Sequence, residues 1–129
     1  MLPFSISLRS GEPLFDQVVY AVTRAVLTGQ LRADDPFPSV RTLSQELKIN
    51  PNTAHKIVAA LINDGYLQVR PGIGTVVGQG RPGGVASRRA LLEEDAERLV
   101  VEAKKAGVGL QHVLAAVRRH WARLVRRAG

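Results

Sequence analysis

The chain has 129 residues, of which 45% are hydrophobic and 22% charged, with no cysteine and a formal net charge of +7. That length is expected to hold one modest core and an appendage, without room for a further effector domain of about 100–150 residues. The absence of thiols excludes disulfides and thiolate-held metals and fits a reducing cytoplasm. No apolar run approaches the roughly 20 residues of a membrane span, and Pro3, Ser5 and Ser7 interrupt any secretory leader pattern, so the expected location is cytoplasmic. The positive charge points to an anionic partner, but it is unevenly placed. Residues 1–80 carry seven Lys/Arg against six Asp/Glu, whereas residues 81–129 carry eleven against five.

Phe4, Ile6 and Leu8 alternate with polar residues, the period of a half-buried strand. After a break at Arg9-Ser10-Gly11, a helix is expected from about Glu12 with Pro13 in its first turn. It carries Leu14, Phe15, Val18, Val22, Ala25 and Val26 as a core stripe and ends at Gly29. Residues 31–37 read as a loop rich in Asp and Pro. A second helix opens at Pro38-Ser39, where the Ser39 hydroxyl can accept from a first-turn amide, and buries Val40, Leu43 and Leu47. The short connection Lys48-Ile49-Asn50 leads into a third helix, with Asn50 as cap and Pro51 at the first helical position. Ala54, Ile57, Val58 and Leu61 share one face, and Asp64-Gly65 stops the helix. Residues 66–70 and 74–77 are two short strands around a hairpin tip at Pro71-Gly72-Ile73. Residues 78–84, with four glycines and a proline, read as a linker. Two helices follow over 86–106 and 109–127, separated by Gly107-Val108-Gly109.

Two short helices joined by a tight turn and followed by a hairpin have the order of a winged helix-turn-helix. The fold class expected is therefore mainly α with a small β wing: a DNA-binding domain over 1–78, a linker over 79–85 and a two-helix dimerisation tail over 86–129. At 100° per residue, Asn52, Lys56, Ala59 and Asn63 oppose the core face of the third helix. Asn can read a base edge with a paired donor and acceptor, Lys56 can meet phosphate or guanine, and Ala59 with Ala60 keeps the helix slim for close approach. A solvated outer face of a core helix has the same pattern. Arg41 can reach phosphate or guanine from the second helix, or it is a surface arginine. Ser39 can touch phosphate as well as cap. Gly72 and Gly74 allow the hairpin close to DNA with Arg70 and Thr75 supplying backbone contacts, or they serve only a turn that needs positive φ. His55 borders the outward arc and either donates to DNA or covers the core edge. Neither His112 nor His120 has a partner at metal-ligand spacing. No catalytic triad, phosphate loop or carboxylate pair stands out, so neither enzyme activity nor a cofactor is expected.

Five linked segments resemble the GntR family of bacterial transcription regulators: Pro13-Leu14-Phe15-Asp16-Gln17, Gly29-Gln30-Leu31, Phe37-Pro38-Ser39-Val40-Arg41, Asn50-Pro51-Asn52-Thr53 and Gly72-Ile73-Gly74-Thr75-Val76-Val77. The likeness spans about residues 4–78. It implies DNA contacts from Ser39 and Arg41, from Asn50, Asn52, Thr53, His55 and Lys56, and from Gly72 in the wing. Phe37 departs from the family's usual Leu, Asp34 stands where Gly is common, and His55 where a basic or small polar residue is frequent. The short tail looks like that of the YtrA-type subfamily, which implies dimerisation and, often, repression of neighbouring transporter operons.

Leu110, Leu114, Val117, Trp121 and Leu124 step by four, three, four, three, the spacing of a helix–helix seam, and Leu92, Ala96, Leu99, Ala103 and Ala106 do the same. Two helices alone bury little, so a second copy is the expected partner, with Trp121 as anchor. Arg118, Arg119, Arg123, Arg126 and Arg127 form a basic face. It is either simply solvated or supports binding to DNA, an acidic partner or an anionic membrane. The resulting expectation is a homodimeric repressor on an inverted repeat of double-stranded DNA, released by a small-molecule effector if one exists. Its rival is a winged helix used for protein contacts or non-specific packaging, which would show little preference for an inverted repeat over scrambled DNA.

Overall fold

The computed structural model describes residues 1–124, which fall into two compact units, residues 1–81 and 82–124. In the first unit the order is α1 (Leu14–Leu27), α2 (Val40–Leu47), α3 (Pro51–Asn63), β1 (Leu67–Arg70) and β2 (Gly74–Val77). The 3.6-residue period of α1 puts Val18, Val22, Ala25 and Val26 inside. They join Leu43, Ala54, Ile57, Val58, Leu61, Leu67 and Val77 in one core. α3 packs against α1, α2 and β1, so the helix with the slim polar side is held from three directions.

Helix ends follow the local chemistry. α1 begins one residue later than its proline suggests: Pro13 is the N-cap, and its carbonyl accepts from Gln17 N at 3.2 Å. The Gln17 amide fastens the preceding loop, donating to Arg9 O at 2.9 Å and Glu12 O at 3.1 Å and accepting from Arg9 N at 2.7 Å. Ser39 Oγ accepts from Thr42 N at 3.1 Å and Asn50 Oδ1 from Asn52 N at 2.7 Å, so both caps form. Between them Lys48 turns the chain at φ 56°, and Ile49 N closes on Ser44 O at 3.0 Å.

β1 and β2 pair antiparallel, with Leu67 opposite Val77 and Arg70 opposite Gly74. At the tip Ile73 N donates to Arg70 O at 3.0 Å, with Pro71 second and Gly72 third in the turn. Gly72 has φ +77°, the conformation a type II turn demands at that place. The stretch 31–37 is more than a loop. Leu31 and Phe37 are buried, Pro36 bridges Val76, and Phe37 N, Val77 N and Asp34 N bond to Thr75 O, Asp35 O and Val77 O at 2.8–2.9 Å. It thus runs beside β2 like a third strand that a proline keeps short.

The strand expected at Phe4, Ile6 and Leu8 does not form. Those residues are irregular and join neither edge of the hairpin; the edge of β2 is taken by 34–37. The alternation still reports a face: Phe4 is buried, its ring stacked on Phe37 with centroids 5.9 Å apart and planes 5° apart, while Leu8 is exposed. The strand expected from Tyr66 begins at Leu67.

The glycine-rich run after β2 is partly built in. Gly78 N donates to Tyr66 O at 2.8 Å, Gly80 N to Gly65 O at 2.9 Å and Arg81 N to Asp64 O at 2.9 Å. A Cβ on Gly80 would lie 2.4 Å from the Tyr66 ring, and one on Gly78 would lie 2.3 Å from Gly65 O. Glycine here serves close approach, not looseness.

The second unit is helical: α4 (Val85–Arg89), a π-helical stretch (Ala90–Asp95), α5 (Ala96–Ala106) and α6 (Leu110–Arg123). The helix expected over 86–106 is thus interrupted. Ala96 N bonds back to Leu91 O, and this wider turn breaks the uniform phase that links Leu92 to Leu99 in a straight α-helix. Gly107 at φ 72° ends α5, with Val108 N on Ala103 O at 2.8 Å. No described residue of this unit is buried. Arg126 and Arg127, and the last residues of the helix expected to 127, lie outside the described residues.

Candidate nucleic-acid interface

α3 is two-sided. Ala54, Ile57, Val58 and Leu61 are buried, whereas Asn50, Asn52, His55, Lys56, Ala59 and Asn63 are exposed. Thr53 is half-buried at the boundary. Among the described residues Lys56 has no ion pair, so its ammonium is free for an anion. Ala59 breaks the row of longer side chains, leaving room for the helix to approach a flat or grooved surface.

α2 presents its N-terminus in the same helix pair. Ser39 is exposed, its hydroxyl donating to Thr42 Oγ1 at 3.1 Å while accepting the Thr42 amide. Arg41 is exposed and, among the described residues, without an ion pair. Its backbone is steadied from within, since the buried Ser44 hydroxyl donates to Arg41 O at 3.1 Å. A helix N-terminus with a free guanidinium in its first turn suits an anion.

The wing residues divide. Gly72 and Gly74 are exposed at the tip, with open space where each Cβ would stand. Thr75 is half-buried, and its carbonyl accepts from Phe37 N at 2.9 Å. Arg70 is not free: its guanidinium pairs with the Asp34 carboxylate. The composition pattern did not single out Ile73 or Val69, which are 72% and 63% exposed at the hairpin. The strand period puts Val69 on the same side as the buried Leu67, but toward the hairpin's far end, and it gives no signal for Ile73, which lies in the turn.

Beyond α3, Arg81 Nη2 donates to Asn63 O at 2.6 Å and Ile62 O at 3.2 Å. These carbonyls lie in the last turn of α3, where a helix runs out of its own amide donors and a cation is favoured; Ile62 O also accepts from Gly65 N at 3.0 Å. In the tail, Leu92, Leu99, Leu110, Leu114, Val117 and Trp121 are all exposed and Leu124 is half-buried. His112 is exposed, and His120 Nδ1 lies 2.8 Å from Arg123 Nη2. Among the described residues no cluster of His, Cys, Asp or Glu could hold a metal, and no helix is long and apolar enough to cross a membrane.

Residues 14–77, spanning α1 to β2, match the family of bacterial regulatory proteins called the gntR family. Over 107 residues the chain is 29% identical to the HTH-type transcriptional repressor YtrA of Bacillus subtilis (strain 168), covering 82% of each chain. Its fold is similar to a transcriptional antiterminator from Listeria monocytogenes EGD-e, with a TM-score of 0.75 at 19% identity, covering 98% of this chain and 95% of that one. A GntR family transcriptional regulator from Listeria monocytogenes matches with a TM-score of 0.60 at 25% identity, over 87% of this chain and 98% of that one. The capped helix pair, the glycine-tipped wing and the matched stretch that contains both lead to one assignment: the chain belongs to the GntR family, as a DNA-binding regulator and not an enzyme.

Proposed function

We propose that the protein is a cytoplasmic, homodimeric repressor that binds an inverted-repeat operator, with half-sites about one helical turn, ~10 bp, apart. The observation that carries this reading is the exposed polar side of α3. Asn50, Asn52, His55 and Lys56 stand on a helix whose opposite face is locked in the core, so a rigid element presents them. Asn52 is the candidate for a base edge and Lys56 for guanine or phosphate, Asn50 can contact DNA through the amide NH2 its capping role leaves over, and His55 and Thr53 stand at the margin. Ser39 and Arg41 brace the flank through phosphate, and the wing backbone around Gly72 approaches the duplex next to the helix.

Dimerisation falls to the tail, whose apolar side chains Leu99, Leu110, Leu114, Val117 and Trp121 remain exposed among the described residues. Occupying an operator blocks transcription without any chemistry. The repressor reading is supported by the function of the Bacillus subtilis relative. Release requires an effector that binds the DNA-free conformation better.

Selection of binding sites from a random duplex pool tests the reading. A two-fold symmetric motif is the expected product. On the best site, Arg41→Ala and Lys56→Ala are each expected to lose about tenfold or more in affinity, ~1–3 kcal/mol, with unfolding midpoints unchanged. Full affinity in both folded variants, or a pool that yields no motif, overturns it.

A further inference from the structure

We propose that Asp34 is an electrostatic brake on the wing: by holding the Arg70 guanidinium, its carboxylate keeps that arginine from serving as a sequence-independent phosphate contact. The inference rests on the reading that the wing faces DNA, and it adds a residue outside α2, α3 and the hairpin.

Two observations converge on Asp34. It sits at φ 74°, in the left-handed region that favours glycine. Its backbone role, donating N–H to Val77 O at 2.8 Å, is one a glycine would fill without strain. What the aspartate adds is its carboxylate, and that carboxylate is paired with Arg70, 36 residues away at the end of β1. A non-glycine residue held in a disfavoured conformation by its surroundings points to a use for its side chain.

Charge placement says what the use is. Arg70 is the sole Lys or Arg between Lys56 and Arg81, so the charge of the hairpin depends on whether Arg70 is free. It stands directly before the Pro71-Gly72 turn, at the part of the wing nearest a docked duplex in the proposed arrangement. A free arginine there would neutralise a phosphate of any sequence and release a condensed counterion, strengthening non-specific binding. Paired with Asp34, it carries its own counterion. Moving it to phosphate then exchanges one anion for another, with little gain. Both partners are exposed, with side chains 44% and 63% accessible, so the pair is weak enough to be tested by removing one charge. Asp34 acts through Arg70 and is a positioning residue.

The experiment compares the salt dependence of binding to a random-sequence duplex for four proteins: the unaltered chain, Asp34→Asn, Asp34→Asn/Arg70→Ala and Asp16→Asn. Asn tolerates the left-handed conformation, so the fold is retained, and urea midpoints check it. Asp16→Asn makes the same change in net charge at an exposed position of α1 that, among the described residues, has no ion pair. Asp34→Asn is expected to bind about three- to tenfold more tightly at low salt, with the slope of log K against log salt steeper by about 0.9, the signature of one added phosphate contact. The double variant is expected to return to the original slope and Asp16→Asn to keep it. An unchanged slope in Asp34→Asn, a steep slope that survives loss of Arg70, or an equal shift in Asp16→Asn overturns the proposal. Because the duplex is random, the result stands apart from the operator reading: a selection that yields no motif sinks sequence-specific recognition and leaves these slopes to decide on Asp34.

Discussion

The two units use amphipathic helices in opposite ways. Residues 1–81 turn Val18, Val22, Leu43, Ile57, Leu61 and Leu67 fully inward, against each other. The unit from Pro82 on has comparable stripes, yet Leu99, Val117 and Trp121 stay exposed, the last at 79%. A helical period reports that a face wants cover. It does not report whether the cover comes from the same chain. In the first unit three helices and a hairpin enclose a common interior. In the second, helices joined by the Gly107-Val108-Gly109 turn leave their apolar faces open. The first unit can therefore stand on its own core, whereas the described residues of the second leave their apolar side chains uncovered, as the proposed dimer requires.

Leu61→Ala should show the contrast most strongly. It removes a fully buried side chain beneath the α3 face and is expected to cost the first unit about 2–5 kcal/mol in urea unfolding. A loss under ~1 kcal/mol would mean that this core is looser than its packing shows. Trp121→Ala should leave that unfolding transition in place and weaken self-association, by ~2–3 kcal/mol if the indole is enclosed by a second copy. Sedimentation at low micromolar concentration reads it, and an unchanged dimer would move the shared face elsewhere. Ser39→Ala tests a feature that serves both fold and interface. Loss of the Thr42 amide cap predicts about 1 kcal/mol of destabilisation, while Ser39→Asp should restore stability and still weaken DNA binding by placing an anion near phosphate. The smallest effect belongs to the tail's basic face. Replacing Arg118 and Arg119 by Gln is expected to leave the salt slope of DNA binding within ~0.3 if that face is only solvated, and to reduce it by about 1–2 if both meet phosphate.

Much of the first unit was legible in the sequence because its signals are local. Ser39 and Asn50 announce helix starts through side chains that bond within two or three residues. Pro71-Gly72 announces a turn through fixed φ values, and the outward set Asn52, Lys56, Ala59 and Asn63 follows from helical geometry once the core face is known. The illegible features are pairings between distant segments. Nothing in residues 4–8 says that their ladder partner is absent, and nothing in 31–37 says that β2 will accept them. The run 78–81 has a linker's composition, but the Tyr66 ring and the end of α3 hold it in place.

Helix identity, caps, turn chemistry and the polar side of α3 are thus properties of neighbouring residues, since each rests on interactions a few positions apart along the backbone. The occupation of Arg70 by Asp34, the stacking of Phe4 on Phe37 and the clamp of Arg81 on Asn63 join residues 18 to 36 positions apart. Such contacts depend on how the core brings strands and loops together in space, and no spacing rule along a single chain encodes that distance. Which cations remain free to meet an anion is decided there.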